Sequence, residues 1–358
     1  MKKMLYMMHI DWDWIFQRPQ ILAMELSKYF DVTVQYRFAN NRKTVRKNKI
    51  RPQKQAVYFQ LPKNNLPIIK QINTLIRSIY KRKIIKGDYD YLWVCSPELF
   101  DVIPEGYQGK IIYDCMDRHV HMAKSERKQQ VEKMESALIA KASQIFVSSQ
   151  SLYEDIKSVN PDKKVVVIRN GYVQSKLFYD ERASAGEKAI YKIAYIGTVD
   201  TWFDFDTITS NVAQFKNVTY DIIGPTVVKK AIERVHYRGI VLHDELYANI
   251  KDVDCLVMPF ILNDTVLAVD PVKLYEYISY GKCIISIYYP EIERFGDFVH
   301  FYSTGEEYNA LVHKLIETNF KPKYSQKQQS DFLVNNTWDK RVSDIVEILT
   351  EKNEDVQL

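Results

Sequence analysis

The stretch Asp270-Pro-Val-Lys-Leu-Tyr-Glu-Tyr-Ile-Ser-Tyr-Gly-Lys-Cys-Ile-Ile-Ser286 is the most informative part of the sequence. Pro271 suits the first turn of a helix, and Lys273 and Glu276, three residues apart, would share one face of it. The exposed amides of a helix start bind phosphate groups, Lys273 adds a positive charge, and Glu276 could accept hydrogen bonds from ribose hydroxyls. Gly281 ends the helix before an apolar strand. The segment therefore fits a nucleotide diphosphate site, and a surface helix with a Lys–Glu pair is the alternative.

Outward from this segment, the chain of 358 residues alternates apolar strands, among them Ile240–Leu242, with helices, which predicts an α/β protein with parallel sheets. This length suits two domains. We expect an N-terminal domain over residues 1–178 and a second domain over 179–336 that begins with a polar linker, Tyr179–Lys188. A C-terminal helix over 337–358, in which Trp338, Val342, Ile345 and Ile348 recur at helical spacing, could return to the first domain.

The positive charge is concentrated in one stretch. The net charge is +5, and Arg42–Lys86 contains fourteen Lys and Arg and no Asp or Glu, which predicts an anionic partner. The pattern of apolar and basic residues over 66–86 predicts an amphipathic helix of the kind that binds an anionic membrane surface. A core-facing helix with a cationic rim is the alternative. Its predicted apolar stripe comprises Ile68, Ile69, Ile72, Leu75, Ile76, Ile79 and Tyr80. No nucleic-acid recognition motif accompanies the charge, so we expect no nucleic acid partner.

The four cysteines are scattered in or beside apolar stretches and none forms a C-x-x-C, which predicts reduced thiols in the cytoplasm. The N-terminal apolar run is too short for a signal peptide. No stretch approaches the roughly 20 apolar residues that span a bilayer. We therefore expect a soluble cytoplasmic protein, or one attached to the inner face of the cell membrane.

Further landmarks follow predicted strands, where ligands bind in doubly wound sheets. They are Trp14-Ile-Phe-Gln-Arg18-Pro19-Gln20, Tyr113-Asp-Cys-Met-Asp117, Val147-Ser-Ser149, Arg169-Asn-Gly171, Ala194-Tyr-Ile-Gly197, Ile222-Ile-Gly-Pro225 and Val257-Met-Pro-Phe260. Together with the pattern P-x-K-x-x-E-Y-x-x-x-G-K that starts at Pro271, they resemble the GT-B glycosyltransferases over nearly the whole chain. The resemblance is greatest to family-four-like members of teichuronic acid, capsular and exopolysaccharide biosynthesis. It implies two Rossmann-like domains facing across a deep cleft, with the donor bound by the second domain.

The resemblance implies transfer of a sugar from a nucleotide diphosphate, with UDP favoured by family habit, to a hydroxyl of a glycan or lipid-linked oligosaccharide. The implied donor-binding residues are Gly197, Thr198, Trp202, Gly224, Val241, Leu242, Tyr247, Asp270, Pro271, Val272, Lys273, Leu274 and Glu276. His9 and Arg18 would reach the diphosphate from the first domain, and Trp202 could instead pack against Phe203 and Phe205. No carboxylate cluster with metal-ligand spacing follows a strand in the second half, so we expect a metal-independent enzyme without a cofactor.

For the catalytic base we expect Asp117, because a carboxylate in a dry site is tuned toward accepting a proton. In the similar xanthan-type glucuronosyltransferases an Asp of the corresponding loop is the base. The alternatives are a structural role for Asp117, or a base at Asp114 or at a histidine (His9, His119 or His121).

Two departures from the family pattern concern stereochemistry. Family-four enzymes that retain configuration usually carry two Glu seven residues apart, and here Ala268 takes the first position, with Asp270 as a partial replacement. No Arg or Lys follows Gly197, so Lys273 must supply more of the positive charge. These departures leave retention or inversion open. They also leave two rivals: a nucleotide-sugar epimerase or hydrolase, and a non-catalytic scaffold subunit with the same fold.

Overall fold

The chain divides between Asn170 and Gly171 into two units, of which unit 1 comprises Met1–Asn170 with Trp338–Leu358 and unit 2 comprises Gly171–Thr337. The predicted boundary at residue 178 lies slightly later in the chain. The computed structural model describes residues 1–13, 16–38, 50–62, 66–173, 177–179, 188–241 and 245–351. Most of the predicted linker lies outside these ranges.

Unit 1 is built on a seven-stranded parallel sheet in the order β3-β2-β1-β4-β5-β6-β7. Its strands are β1 (Lys3–Met8), β2 (Asp31–Arg37), β3 (Lys54–Tyr58), β4 (Tyr91–Val94), β5 (Lys110–Cys115), β6 (Gln144–Val147) and β7 (Val165–Val167). Its helices are α1 (Arg18–Leu26), α2 (Pro67–Gly87), α3 (His119–Met122), α4 (Ser125–Lys141), α5 (Gln150–Val159) and, from the C-terminal segment, α11 (Trp338–Thr350). The central strand β4 is apolar throughout and its neighbour β1 is apolar after Lys3, as expected for strands covered by helices on both faces.

The C-terminal helix α11 belongs to unit 1 and packs against α1. Trp338, Val342 and Ile345, which share one face at helical spacing, are buried in the core of that unit. The sequence pattern therefore identified the buried face of α11, and the contacts of the folded chain assign that face to the first unit.

Unit 2 is built on a six-stranded parallel sheet in the order β10-β9-β8-β11-β12-β13. Its strands are β8 (Tyr191–Ile196), β9 (Val218–Ile223), β10 (Val235–Gly239), β11 (Cys255–Met258), β12 (Cys283–Ile287) and β13 (His300–Tyr302). Its helices are α6 (Phe205–Gln214), α7 (Leu246–Ile250), α8 (Val272–Ser279), α9 (Gly305–Glu317) and α10 (Gln326–Val334).

Strand order reverses once in each sheet, between β1 and β4 in unit 1 and between β8 and β11 in unit 2. Ligands of doubly wound sheets bind beyond the carboxyl ends of the strands at such a reversal. The residues at the two reversals are His9 and Ser96, after β1 and β4, and Gly197 and Pro259, after β8 and β11.

The structure corrects two expectations about elements. The strand predicted at Ile240–Leu242 is absent at Ile240 and Val241; β10 ends at Gly239, and Leu242 lies outside the described residues. Gly239 has a φ of +73°, a left-handed conformation that breaks the extended backbone. The apolar stripe predicted on α2 is also divided between two faces of the helix: Ile69, Ile76 and Tyr80 are half-buried, whereas Ile68, Ile72, Leu75 and Ile79 are exposed. Within the described ranges, no helix is both long and apolar enough to cross a membrane.

Candidate functional site

In unit 2, the loops after β8 and β9 meet the start of α8. Gly197 has a φ of +148° and Gly224 a φ of +138°, values that L-residues with side chains rarely adopt. A Cβ on Gly224 would lie 2.2 Å from the Gly197 carbonyl oxygen, and a Cβ on Gly197 would lie 2.2 Å from Cε of Lys273. The two glycines therefore allow both loops to close against the Lys273 side chain.

Lys273 supplies a positive charge where the loops after β8 and β9 meet the start of α8. Burial lowers the pKa of its ammonium group, an effect that the charge of Glu276 opposes. In the described part of the chain, no carboxylate lies within ion-pair distance of Lys273. A partly buried ammonium whose nearest counter-charge, Glu276, lies beyond ion-pair distance is costly, so this position favours an anionic ligand.

A tyrosine of helix α8 holds this helix against the sheet. Tyr277 is fully buried, and its hydroxyl accepts a hydrogen bond of 2.9 Å from the Ile196 amide at the end of β8. The same hydroxyl lies 3.4 Å from the Val257 carbonyl oxygen of β11. This contact holds the helix against the two strands between which the order reverses. The motif contains Tyr277, but only the fold reveals its partners.

The side chain of Asp270 contacts other residues of unit 2. Its buried side chain forms an ion pair with Arg294, and the Tyr275 hydroxyl lies 3.4 Å from its Oδ2. The structure therefore gives Asp270 a role in holding the segment before α8, and its expected contact with the donor stays a prediction. Arg294, which lies 24 residues away in the chain, was not expected, and no local sequence signal connects the pair.

The other residues assigned to the donor site lie in several environments. Pro271 and Leu274 are buried, so any donor contact there comes from their backbone, and Val272 and Glu276 are half-buried. The Tyr195 hydroxyl fixes Thr198 by donating a hydrogen bond of 2.9 Å to its carbonyl oxygen.

Trp202, Val241 and Tyr247 pack partly against the hydrophobic core of unit 2, and a contact of Trp202 with the donor stays a prediction. The Tyr247 ring stacks on Phe178 at an interplanar angle of 11°. That contact already covers one face of the ring. Leu242, the remaining residue of this group, lies outside the described residues.

In unit 1, Arg18 and Asp114 form a buried ion pair at 2.7 Å. Arg18 also donates to the Ile168 carbonyl oxygen at 2.8 Å and to Oδ1 of Asn170 at 3.3 Å. These bonds hold the guanidinium group within unit 1, and the expected contact of Arg18 with the diphosphate stays a prediction. Asp114 is likewise neutralised by this pair, which disfavours it as a base.

Asp117 differs from Asp114 in its surroundings. It follows β5, is half-buried, and its carboxylate accepts no hydrogen bond from any described residue. Burial raises the pKa of Asp117 to about 7; the positive charge of Arg18 lowers it and the negative charge of Asp114 raises it. A carboxyl group with a pKa near neutrality can accept a proton at physiological pH.

Two histidines meet near the carboxyl ends of β1 and β5: His9 follows β1, and His119 begins α3, where its amide donates a hydrogen bond of 2.9 Å to the Asp117 carbonyl oxygen. The rings of His9 and His119 meet edge to face with centroids 5.8 Å apart. Burial lowers the pKa of His9 to about 4, and burial together with His9 lowers that of His119 to about 3. Nδ1 of His9 and Nε2 of His119 have no hydrogen-bond partner among the described residues. Both rings are therefore neutral at physiological pH, and each carries a buried nitrogen whose hydrogen-bonding capacity is unused among the described residues.

Comparisons with known proteins agree on the fold. No family model matches the sequence. A protein of Bacillus subtilis strain 168, named "Putative teichuronic acid biosynthesis glycosyltransferase TuaH", is 22% identical over 272 residues, which is 68% of this chain and 68% of that protein.

Among solved structures, sucrose-phosphate synthase of Thermosynechococcus elongatus matches with a TM-score of 0.72 at 11% identity, over 98% of both chains. Anabaena HepE, solved in complex with UDP and glucose, matches with a TM-score of 0.68 at 14% identity, over 98% of this chain and 100% of that one. A UDP-N-acetylglucosamine 2-epimerase shares the architecture at a lower TM-score, 0.52, at 14% identity, over 99% of this chain and 97% of that one.

The fold is the GT-B fold, with two Rossmann-like units, as expected from the sequence. The chain is similar to the GT-B glycosyltransferases in fold, and in sequence to the glycosyltransferase of Bacillus subtilis. Its resemblance to the teichuronic acid type, stated above from the motifs, is confirmed by that relative.

Proposed function

We propose that the chain transfers a glycosyl group from a UDP-sugar to a hydroxyl of a glycan or lipid-linked oligosaccharide in the synthesis of a bacterial cell-surface polysaccharide. The acceptor oxygen bonds to the anomeric carbon, the bond from that carbon to the diphosphate breaks, and UDP leaves. The observation that carries the proposal is the meeting of Gly197, Gly224 and the unpaired Lys273 at the strand-order reversal of unit 2.

Lys273 and the first amides of α8 would stabilise the negative charge that develops on the departing diphosphate. Glu276 lies on the same face of the helix, where it would hold the ribose hydroxyls. Because these groups supply the positive charge and the hydrogen-bond donors, the proposal includes catalysis without a metal ion. Transfer should therefore continue at full rate in EDTA.

In unit 1, we assign Asp117 as the base that takes the acceptor proton, and His9 and His119 as neutral polar groups that bind hydroxyls nearby. This assignment rests on the unpaired carboxylate and the raised pKa of Asp117. The reaction would take place in the cytoplasm, since the four cysteines are buried thiols such as persist in a reducing compartment.

Titration of the full chain with UDP tests the donor site. Lys273→Met should weaken UDP binding about tenfold to a hundredfold, because it removes one charge-assisted contact. Lys216→Met removes an exposed lysine of unit 2 and should leave the affinity unchanged. Absence of UDP binding by the wild-type chain, or equal affinities for the two variants, would refute the site.

The epimerase alternative has one specific observation in its favour, the epimerase structure with the same architecture. Incubation with UDP-sugars in the absence of an acceptor separates the two activities. An epimerase converts the sugar under these conditions, whereas a transferase needs the acceptor for turnover.

A further inference from the structure

Cys255 and Cys283 form a pair of thiols in the core of unit 2. They are the first residues of β11 and β12, and they are direct register partners in the parallel sheet. Neighbouring strands lie about 4.8 Å apart and paired residues point to the same face of a sheet, so the two side chains lie next to each other. A disulfide bond can join residues at this separation. Both residues are free thiols and are fully buried.

His300, the first residue of β13, lies on the same face of the sheet as the two thiols. It pairs with Ile285, which is two residues after Cys283, and residues two apart in a strand share a face. Its Nε2 atom is buried and has no hydrogen-bond partner among the described residues. A histidine beside a thiol stabilises the thiolate form.

The surroundings of the two thiols differ. Burial opposes ionisation of Cys283, but hydrogen bonds with Cys255 and His300 and the charge of His300 outweigh it and lower the pKa of Cys283. Burial, together with the hydrogen bond to Cys283, raises the pKa of Cys255. Cys283 is therefore the thiolate of the pair, which is the nucleophilic form, and Cys255 keeps its proton.

A cavity connects His300 with the surface of unit 2. It has a volume of about 240 Å³ and lies between β13, α9 and the residues that follow α9. Its lining includes Leu311 and Leu315 as well as the exposed Lys314 and Lys321. Because the two lysines are exposed, the cavity reaches the solvent. A molecule as small as hydrogen peroxide can therefore approach the imidazole that acts on Cys283.

We propose that Cys255 and Cys283 are a site of reversible oxidation by hydroperoxides, at which the pair closes to a disulfide bond. The Cys283 thiolate attacks one oxygen of hydrogen peroxide, the O–O bond breaks, and a sulfenic acid forms on Cys283. The departing hydroxide takes up the proton that Cys283 gave to His300 and leaves as water. The sulfur of Cys255 then attacks that of Cys283, and its proton leaves with the sulfenic hydroxide as a second water. Two thiols are oxidised and one peroxide is reduced.

The inference goes beyond sugar transfer and does not depend on it. The new bond would join the two ends of a segment that contains α8 and Lys273. Cys95 and Cys115 of unit 1 provide an internal comparison, because they are buried as well and neither has a cysteine as its register partner. Burial raises the pKa of both of these thiols, which disfavours their oxidation.

Oxidation of the full chain with hydrogen peroxide under native conditions tests the site. The remaining thiols are alkylated after denaturation, and peptide mass spectrometry then locates any disulfide bond. We expect a bond between Cys255 and Cys283 that dithiothreitol reverses, with Cys95 and Cys115 alkylated. Disulfide bonds that include Cys95 or Cys115, equal oxidation of all four thiols, or a pair that stays reduced would each overturn the proposal.

Variants test the order of the two steps. Cys255→Ser should stop at the sulfenic acid of Cys283, which dimedone traps, whereas Cys283→Ser should leave Cys255 unreacted. His300→Gln should slow formation of the disulfide bond by about tenfold, the thiolate population that one pKa unit represents. The matched control His236→Gln removes an exposed histidine of β10 and should react at the wild-type rate. Equal rates in the two histidine variants, or dimedone labelling of Cys255 in place of Cys283, would contradict the assignment, and thermal unfolding of each variant verifies that it is folded.

Discussion

Replacement of Asp117 by asparagine should abolish transfer and, at neutral pH, stabilise unit 1. The pKa of Asp117 is raised from an ordinary value of 3.8 to about 7 by burial. A difference of about three pH units corresponds to about 4 kcal/mol, and because the side chain retains some contact with solvent we expect a gain of about 2–4 kcal/mol. A carboxylate kept only for structure would give the opposite result, a loss of stability.

The pH dependence has a defined direction. Below pH 4 the carboxyl group is protonated in both the folded and the unfolded chain, so Asp117 costs nothing. Between pH 4 and about 7 the unfolded chain loses this proton and the folded chain keeps it, so the wild type loses stability as the pH rises. Asparagine does not titrate. The stability difference between Asp117→Asn and the wild type should therefore grow by up to about 1.4 kcal/mol per pH unit and level off above pH 7.

Chemical denaturation between pH 4 and pH 8, followed by tryptophan fluorescence, measures this difference. Trp93 and Trp338 are buried in unit 1 and report on its unfolding. Asp162→Asn, at an exposed position of the same unit, is the matched control and should show no such trend. In parallel, kcat/KM of the wild type should rise with pH to a plateau above about 7. A stability difference that is constant with pH, or transfer activity in Asp117→Asn, would refute the reasoning.

Three further outcomes follow from the structure. Gly197→Ala should reduce UDP affinity more than tenfold, because its Cβ would meet Lys273 Cε at 2.2 Å; Gly305→Ala, where the nearest atom is 3.8 Å away, is the calorimetric control. Arg18→Met should destabilise unit 1 by about 3–5 kcal/mol, because it leaves the Asp114 carboxylate buried and unpaired; adding Asp114→Asn should restore part of this loss in thermal unfolding. EDTA should leave the initial rate of sugar transfer unchanged, and a loss that Mg²⁺ or Mn²⁺ restores would contradict metal independence.

The local sequence was sufficient to predict features that lie within a single helix or strand. The segment from Asp270 predicted a helix with Lys273 and Glu276 on one face, and α8 begins at Val272. The helical spacing of Trp338, Val342 and Ile345 predicted the buried face of α11. Alternating strands and helices predicted two parallel sheets, because strands covered on both faces must be apolar throughout.

Contacts between distant residues required the tertiary structure. Arg18 and Asp114 are 96 positions apart, and only the folded sheet shows that each neutralises the other, which left Asp117 as the unpaired carboxylate. The pairing of Asp270 with Arg294 similarly joins residues that lie 24 positions apart. Spacing along a chain cannot reveal such pairs, because burial and charge partners are set by strand order.

Helix α2 also shows which features the sequence predicts and which require the tertiary structure. The helical periodicity of its apolar residues predicted one wide apolar stripe. Which of them face the sheet depends on where the helix attaches, and the contact of Tyr80 with β3 turned Ile72 and Leu75 outward. The sequence by itself thus determined the helices, the strands and the position of Lys273. The packing of residues distant in the chain decided which charged side chains are paired and which apolar face of α2 is exposed.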